Sequence, residues 1–210
     1  MPSEGPPFGN KLRRVAVYCG SRKGNNPVYM EAATALGEAI AQRKIGVVYG
    51  GGSLGLMGAV SSAARMGGSE VLGITTENFA VRETIPDTDP LLYVAETMHE
   101  RKTWMSKMSD AFIALPGGIG TLEEIIEMWT WAQTGESAKR VCAFYNVNGF
   151  YDKLIEYADH VIDQGFMEAK HKDLIIVSND PEELLDQVTA FVQEHKSWAY
   201  PESGILKNLI

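Results

Sequence analysis

The sequence contains few cysteines and histidines, and this scarcity excludes two kinds of site. Cys19 and Cys142 are the only cysteines among 210 residues, and each stands in an apolar run. They do not form the disulfide framework of a secreted domain, so we expect two buried thiols in a cytoplasmic protein. The four histidines have no ligand spacing and no Cys/His cluster accompanies them. We therefore expect no catalytic metal.

Positive charge is scarce as well, because 19 Lys and Arg residues stand against 27 Asp and Glu residues and give a formal net charge of -8. Such a chain repels the phosphates of a nucleic acid on average, while a small anionic ligand in a local pocket is still allowed. No apolar run reaches the roughly 18 residues that a membrane span requires. The composition therefore predicts neither a nucleic-acid partner nor a membrane partner.

The composition is that of one globular domain. Apolar residues make up 45% of the chain, enough for one substantial core, and no break in composition marks a second domain. We expect this domain to span residues 13–196. Residues 1–12, which are rich in proline and glycine, are expected to form a disordered leader, and residues 197–210 an irregular tail.

Short apolar runs alternate with segments of helical periodicity, and this alternation predicts the fold. Strands are predicted at residues 15–19, 45–49, 71–74, 91–94, 111–115, 141–145 and 174–177. Helices are predicted at 27–43, 54–66, 97–108, 121–134, 150–163 and from Pro181, behind the N-cap Asp180, while 75–90 is expected to be a long loop. The alternation implies right-handed crossovers, so we predict a doubly wound, Rossmann-like α/β fold, a parallel sheet with helices on both faces.

Two glycine-rich turns follow predicted strands, Gly50-Gly51-Gly52-Ser53 after the second and Pro116-Gly117-Gly118-Ile119-Gly120-Thr121 after the fifth. Ligands of doubly wound folds bind at the carboxyl ends of the strands, and a glycine turn at a helix start binds anions. One such turn is equally well explained as a tight turn, but two on one rim favour an anion site. Strand one ends in a single glycine, Gly20, without a following acidic ribose ligand, so we do not expect an NAD enzyme.

Glu124 stands in the first turn of the helix that follows the second glycine turn. Thr121-x-x-Glu124 fits a capping box, with the threonine at the N-cap, and capping is one explanation of the glutamate. The other is a carboxylate that acts on a ligand beside the anion site. We expect Glu124 to stay ionised there, because the helix N-terminus and a nearby arginine would favour the charged form.

The same helix has an apolar stripe that we expect to face the core, formed by Leu122, Ile125, Ile126 and Trp129. A helical wheel leaves Glu124, Glu127 and Trp131 together on the opposite side. An outward Trp131 with Met128 nearby indicates that a second subunit covers this face. We therefore expect at least a homodimer.

Arg101 is the second residue that we expect at this rim. It shares a helical stripe with Met98, Met105 and Met108, where an unpaired arginine would be costly, so it needs an anionic partner. The alternative is an arginine that reaches solvent along the methionines. Because its helix leads directly into strand 111–115, the helix begins at the rim that carries Glu124. We expect Arg101 to face the pocket.

Three motifs occur in order along the chain: Gly50-Gly51-Gly52-Ser53-x-Gly55-Leu56-Met57-Gly58, Met98-His99-x-Arg101-Lys102 and Pro116-Gly117-Gly118-x-Gly120-Thr121-x-x-Glu124. Together they resemble the LONELY GUY (LOG) family of cytokinin-activating enzymes, and the resemblance extends over residues 15–195. It implies a phosphoribohydrolase that cleaves the N-glycosidic bond of N6-substituted adenosine 5'-monophosphates, with AMP a further candidate substrate. The implied products are free base and ribose 5-phosphate, and no cofactor is implied.

The resemblance also assigns residues to the site. It makes Arg101 and Glu124 the catalytic pair and implies a ligand contact at Glu83, in an Arg-Glu step of the long loop. Further substrate contacts are implied along the second glycine turn and on the flanking helices, with the first turn added as part of the same rim. These are Gly51, Gly52, Ser53, Lys102, Gly118, Ile119, Gly120, Thr121, Leu122, Glu123 and Thr130.

Two other functions remain open at the level of sequence. Related Rossmann-like proteins with glycine turns include carriers that hold a nucleotide without catalysis, and a fold alone does not decide function. Members of the family are also labelled lysine decarboxylases, but no lysine of this sequence stands in a recognisable pyridoxal phosphate setting. The sequence leaves the preferred base open.

Overall fold

The computed structural model describes residues 11–80, 91–134 and 140–195. Most of the predicted leader, the predicted tail at 197–210 and Glu83 lie outside these residues. Among the helices of the described ranges, none has the length and apolar character needed to span a membrane.

A seven-stranded sheet organises the described chain, and all of its strands are parallel. The order across the sheet is fourth, third, second, first, fifth, sixth, seventh, so the order reverses beside the first strand. This confirms the predicted doubly wound, Rossmann-like fold. The strands are β1 (Arg14–Tyr18), β2 (Gly46–Tyr49), β3 (Val71–Thr76), β4 (Leu92–Ala95), β5 (Ala111–Ala114), β6 (Cys142–Tyr145) and β7 (Ile175–Ser178).

The helices cover both faces of the sheet, because alternate residues of each strand point to opposite sides. Val15 and Val17 of β1 belong to one buried cluster, and Ala16 and Tyr18 belong to the other. The helices are α1 (Val28–Gln42), α2 (Gly55–Met66), α3 (Glu77–Ala80), α4 (Met98–Lys107), α5 (Ile119–Thr134), α6 (Asp152–Asp163) and α7 (Pro181–Glu194). The first cluster takes side chains from α1, α2 and α7, and the second from α4, α5 and α6.

The helix and strand bounds differ from the predicted ones by one or two residues at most ends. The carboxylate of Asp180 accepts a hydrogen bond from the backbone N–H of Glu183 at 2.8 Å, which confirms this residue as the N-cap of α7. Cys19 and Cys142 are buried free thiols, as predicted.

The predicted long loop at residues 75–90 is wrong in its first part. Thr75 and Thr76 continue β3, where they pair with β4, and α3 follows at once. Two consecutive threonines have β-branched side chains that fit a strand, a signal that the search for apolar alternation missed. Residues 81–90 lie outside the described ranges.

Candidate active site

The two glycine turns lie side by side, because β2, β1 and β5 are neighbours in the sheet and end at the same rim. The N–H of Gly20, after β1, donates to the carbonyl of Pro116 at 3.1 Å. The carbonyl of Gly20 accepts from the N–H of Leu56, also at 3.1 Å. The loop after β1 therefore ties the two turns together, and the expectation that they share a rim is confirmed.

Arg101 and Glu124 form a buried ion pair at this rim. Nη1 of Arg101 donates to Oε1 of Glu124 at 2.9 Å, and the two residues are only 6% and 7% exposed. Nε of Arg101 donates to the carbonyl of Ile74, near the end of β3, at 2.9 Å. The alternative of an arginine that reaches solvent is wrong, and the prediction of an anionic partner is confirmed.

The capping box predicted for Thr121 and Glu124 is wrong. Helix α5 begins at Ile119, so Thr121 lies inside the helix, and its side chain is buried against Gly117. A Cβ atom at Gly117 would lie only 2.2 Å from Oγ1 of Thr121. The helix starts two residues earlier than predicted, and the carboxylate of Glu124 pairs with Arg101.

Burial raises the pKa of Glu124 above its ordinary value, although the charge and the hydrogen bond of Arg101 act in the opposite direction. The expectation that the surroundings would favour the charged form is therefore wrong in direction, because the cost of removing a carboxylate from water outweighs its partner. The phenol of Tyr18 has a raised pKa too, through its own burial and then the negative charge of Glu124.

Lys102, the next residue of α4, has its ammonium group between two carboxylates of α5. Its Nζ donates to Oε1 of Glu123 and lies 2.9 Å from Oε2 of Glu127, and its side chain is 8% exposed. Burial lowers the pKa of Lys102, but the hydrogen bond to Glu123 and the negative charges of Glu123 and Glu127 outweigh it and raise the pKa overall. Consecutive cations of α4 thus hold three carboxylates of α5.

Gly118 and Gly120 are exposed, and a Cβ atom added to either would meet no atom within 4 Å. Neither has a positive φ. Backbone conformation and packing within the described chain therefore do not require glycine at these two positions. Both α-carbons therefore leave the backbone open to close approach from outside the described residues.

The other predicted site residues are spread along the rim and α5. In the first glycine turn, Gly51 and Gly52 are buried and Ser53 is half-buried. On α5, Ile119 is 82% exposed and Leu122 is half-buried against the core. Thr130 is exposed two turns beyond Glu123, and its hydroxyl donates to the carbonyl of Ile126 at 2.8 Å. The position of Glu83 lies outside the described residues.

The face assigned to a second subunit is wrong in its details. Met128 is 1% exposed, so the chain itself covers it, and Trp131 is half-buried against the same apolar cluster. Glu124 likewise lies on a buried side of α5. The helical wheel predicted one buried side of α5, formed by apolar residues. The helix has a second covered side, where its glutamates contact the cations of α4.

Sequence reasoning missed two groups that hold Arg101. One is the carbonyl of Ile74, a backbone atom that no sequence pattern identifies. The other is the surface of Gly50, where an added Cβ atom would lie 2.5 Å from Nη2 of Arg101. The run Gly50-Gly51-Gly52 indicates a tight turn, but the sequence does not show which of the three glycines lies against Arg101.

Three comparisons relate the chain to known proteins. A family model described as a possible lysine decarboxylase matches residues 57–188. The chain is 41% identical over 186 residues to the cytokinin riboside 5'-monophosphate phosphoribohydrolase LOG2 of Arabidopsis thaliana, covering 89% of this chain and 87% of that protein. It is 42% identical over 187 residues to the phosphoribohydrolase LOG of Oryza sativa subsp. japonica, covering 89% and 77%.

Solved structures of lower sequence identity share the fold. A molybdenum cofactor carrier protein of Chlamydomonas reinhardtii aligns with a TM-score of 0.64 at 19% identity, over 88% of this chain and 99% of that one. A molybdenum cofactor binding protein of Rippkaea orientalis aligns with a TM-score of 0.63 at 18% identity, over 87% and 98%. At this identity the likeness concerns the fold alone.

Proposed function

This chain belongs to the LONELY GUY (LOG) family of cytokinin riboside 5'-monophosphate phosphoribohydrolases, and we propose that its buried Arg101–Glu124 pair carries the family's reaction. The chain is an enzyme that hydrolyses the N-glycosidic bond of a cytokinin riboside 5'-monophosphate and releases the free base and ribose 5-phosphate. The observation that supports the assignment is the carboxylate of Glu124, buried beside an exposed glycine turn at the carboxyl rim of the sheet.

The 5'-phosphate binds at the start of α5 in this proposal. The first turn of a helix has N–H groups without intrahelical acceptors, and its dipole favours an anion. Gly118 and Gly120, whose α-carbons are open to solvent, let the phosphate approach these N–H groups. The phosphate would then fix the ribose at a set distance from Glu124, one turn further along the helix.

Glu124 stabilises the charge that develops as the glycosidic bond breaks. The bonding electrons leave with the base, the ribose gains oxocarbenium character, and a nearby carboxylate stabilises that positive charge. A water molecule supplies the hydroxyl group on C1' and, through its proton, the hydrogen on the departing base. Attack by Glu124 itself and activation of water by Glu124 both require the ionised carboxylate.

Arg101 orients that carboxylate and balances its charge. Its guanidinium is held by the carbonyl of Ile74 at one nitrogen, so the nitrogen that binds Glu124 has a fixed direction. Without Arg101 the buried carboxylate would take up a proton more readily, because the arginine is the main group that opposes the effect of burial on its pKa.

The remaining predicted contacts surround this pair. We propose that the substrate also touches Glu123 and Thr130 on the exposed side of α5, and Glu83 from the loop outside the described residues. Lys102 donates a hydrogen bond to the carboxylate of Glu123 and so orients it toward the substrate in this proposal. The glycine turns and the start of α5 complete the set with Gly51, Gly52, Ser53, Ile119, Thr121 and Leu122.

We also propose a homodimer with the pocket near the interface. Helix α6 supports this: among its residues only Ala158 is buried, while Tyr157 is 63% exposed and Leu154 and Ile155 are half-buried. An amphipathic helix with its apolar face partly open is typical of a subunit interface. Sedimentation at several concentrations tests the dimer, and cell fractionation tests the predicted cytoplasmic location.

The experiment for the function is product chromatography after incubation with three compounds. N6-isopentenyladenosine 5'-monophosphate should give free base and ribose 5-phosphate, AMP reports the need for the N6 substituent, and N6-isopentenyladenosine without phosphate should not be cleaved. Equal turnover of the phosphorylated and unphosphorylated compounds would remove the phosphate site from the proposal.

A non-catalytic nucleotide carrier is the second candidate, because a Rossmann-like fold with glycine turns does not by itself decide between catalysis and binding. Calorimetry distinguishes the two functions. Tight binding of the monophosphate with no base released on long incubation would favour the carrier. The family description as a possible lysine decarboxylase is tested by absorbance, because a Schiff base between a lysine and pyridoxal phosphate is yellow.

A further inference from the structure

Gly50, the first glycine after β2, lies against the guanidinium of Arg101, and the proposed function gives it no part in the reaction. A Cβ atom at this position would lie 2.5 Å from Nη2 of Arg101 and 3.4 Å from Sδ and Cε of Met57. Gly50 is buried, and its φ is not positive. Its backbone conformation therefore does not require glycine, whereas the guanidinium beside it does.

The guanidinium is constrained at each of its three nitrogens. Nε donates to the carbonyl of Ile74, Nη1 donates to Glu124, and Nη2 lies against Gly50. Because the group is planar and rigid, a push on Nη2 also displaces the other two nitrogens. Arg101 is 6% exposed, so the side chain has little free space in which to yield.

We infer that Gly50 is a positioning residue: the absence of a side chain lets Arg101 lie against the end of β2, and this contact fixes the direction of Nη1 toward Glu124. The inference rests on the proposed roles of Arg101 and Glu124. It separates the first glycine of the turn from the two that follow, which are proposed to contact the substrate. Gly50 acts on the reaction only through the arginine.

The direct test is Gly50→Ala. The added methyl group should move the guanidinium away from Glu124, and a displacement on the order of 1 Å in a catalytic group costs about 100-fold in kcat/KM. The loss should appear mainly in kcat, because the substrate contacts of the two other glycines are unchanged. The acid limb of the pH profile should also move to higher pH, which a merely structural defect would not cause.

Gly46→Ala is the matched control on the same strand. Gly46 begins β2 at the amino end of the strand, away from the rim of the pocket. An added Cβ atom there would lie 2.9 Å from Cγ of Arg14, an arginine that pairs with Glu70. The control therefore also places a methyl group too close to an arginine side chain, but this arginine lies away from the pocket. We expect it to change thermal stability while kcat/KM stays within about twofold of the parent.

The decisive measurement is a double-mutant cycle with Arg101→Lys. Lysine has no Nη2 atom, so a methyl group at position 50 has nothing to displace. Gly50→Ala should cost about 100-fold in the parent and less than about twofold in the Arg101→Lys background. An equal cost in both backgrounds would overturn the inference.

The same cycle can be followed by thermal unfolding, which needs no substrate. Gly50→Ala should lower the Tm of the parent and lower that of Arg101→Lys much less, even if the proposed reaction were wrong. If the single variant does not fold, Gly50→Ala combined with Arg101→Ala removes the clashing atoms and should restore a folded protein. Arg101→Ala alone is the reference for this variant, because it also leaves Glu124 without its cation. If Arg101→Ala folds and the double variant does not, the inference is contradicted.

Discussion

Nη1 of Arg101 and Oε1 of Glu124 lie 2.9 Å apart, with side chains that are 7% and 9% exposed. The two residues stand 23 positions apart on different helices. A buried ion pair contributes little net stability, because the loss of hydration of both charges offsets their attraction. The pair is therefore better explained by a role in the reaction than by a contribution to the stability of the fold.

Replacement of Glu124 by glutamine should abolish release of the base and leave the fold intact. Glutamine keeps an oxygen that accepts a hydrogen bond from Arg101, but it has no negative charge to stabilise the oxocarbenium ion. We expect kcat to fall by about 1,000-fold, measured by chromatography of the free base. Glu182→Gln is the control and should retain activity, because Glu182 is an exposed glutamate of α7 that pairs with Arg43. Survival of activity in Glu124→Gln would remove this residue from the mechanism.

The rate should depend on pH through the ionisation of Glu124. Burial raises the pKa of this carboxyl, so activity should be lost, as the pH falls, at a higher pH than an ordinary glutamate would give. Arg101 lowers the same pKa, and Arg101→Gln should therefore move the acid limb of kcat/KM upward. Arg43→Gln, which removes a half-buried arginine that pairs with Glu182 away from the rim, should leave the limb in place. An unchanged limb in Arg101→Gln would show that another group controls the profile.

Alanine at Gly120 should weaken binding of the monophosphate without destabilising the protein. An added Cβ atom meets nothing in the described chain. It would stand where the proposed function places the phosphate. A charge-assisted hydrogen bond is worth about 1.5–3 kcal/mol, so KM should rise roughly 10- to 100-fold. Thermal unfolding and kinetics on one preparation separate the two effects.

Gly117→Ala is the comparison for Gly120→Ala. Whereas Gly120→Ala should weaken substrate binding, Gly117→Ala should lower the stability of the protein. Its Cβ atom would lie 2.2 Å from Oγ1 of Thr121, inside the packed turn. Overpacking of this kind costs about 1–3 kcal/mol of the free energy of unfolding. If Gly120→Ala destabilises the protein as much as Gly117→Ala does, the glycine at 120 serves the fold and not the phosphate.

Replacement of Lys102 by methionine should destabilise the contact between α4 and α5. It leaves the carboxylates of Glu123 and Glu127 facing each other beside Glu124 without their shared cation. Removal of one partner of a buried pair costs about 3–5 kcal/mol, and because Glu123 is half-exposed we expect about 2 kcal/mol here. Denaturant unfolding measures this loss. Lys172→Met, at an exposed pair with Asp159, should change stability by less than about 0.5 kcal/mol.

Most elements of the fold could be predicted from local patterns. Seven apolar runs and the helical stripes between them gave the strands and helices in order, because burial on a sheet or against a helix face imposes a period on the sequence. The parallel arrangement followed from their alternation. The short α3 and the extension of β3 through Thr75 and Thr76 were missed, since their residues carry no apolar period.

The site was predicted in part. Arg101 and Glu124 could be proposed as partners because a buried arginine needs an anion and both helices meet the same rim. The capping role of Thr121 and the outward face given to Trp131, with Met128 nearby, were wrong, since both depend on where α5 begins and how it packs. Local patterns do not contain these facts.

The sequence by itself determined the alternating elements, the two glycine turns and the charged residues available at the rim. Only the tertiary structure decided that Nη2 of Arg101 lies against Gly50 and Nη1 against Glu124. The physical reason is that hydrophobic periodicity acts over a few residues, whereas an ion pair between α4 and α5 depends on how the sheet aligns both helices. A carboxylate acquires its partner and its pKa from that alignment.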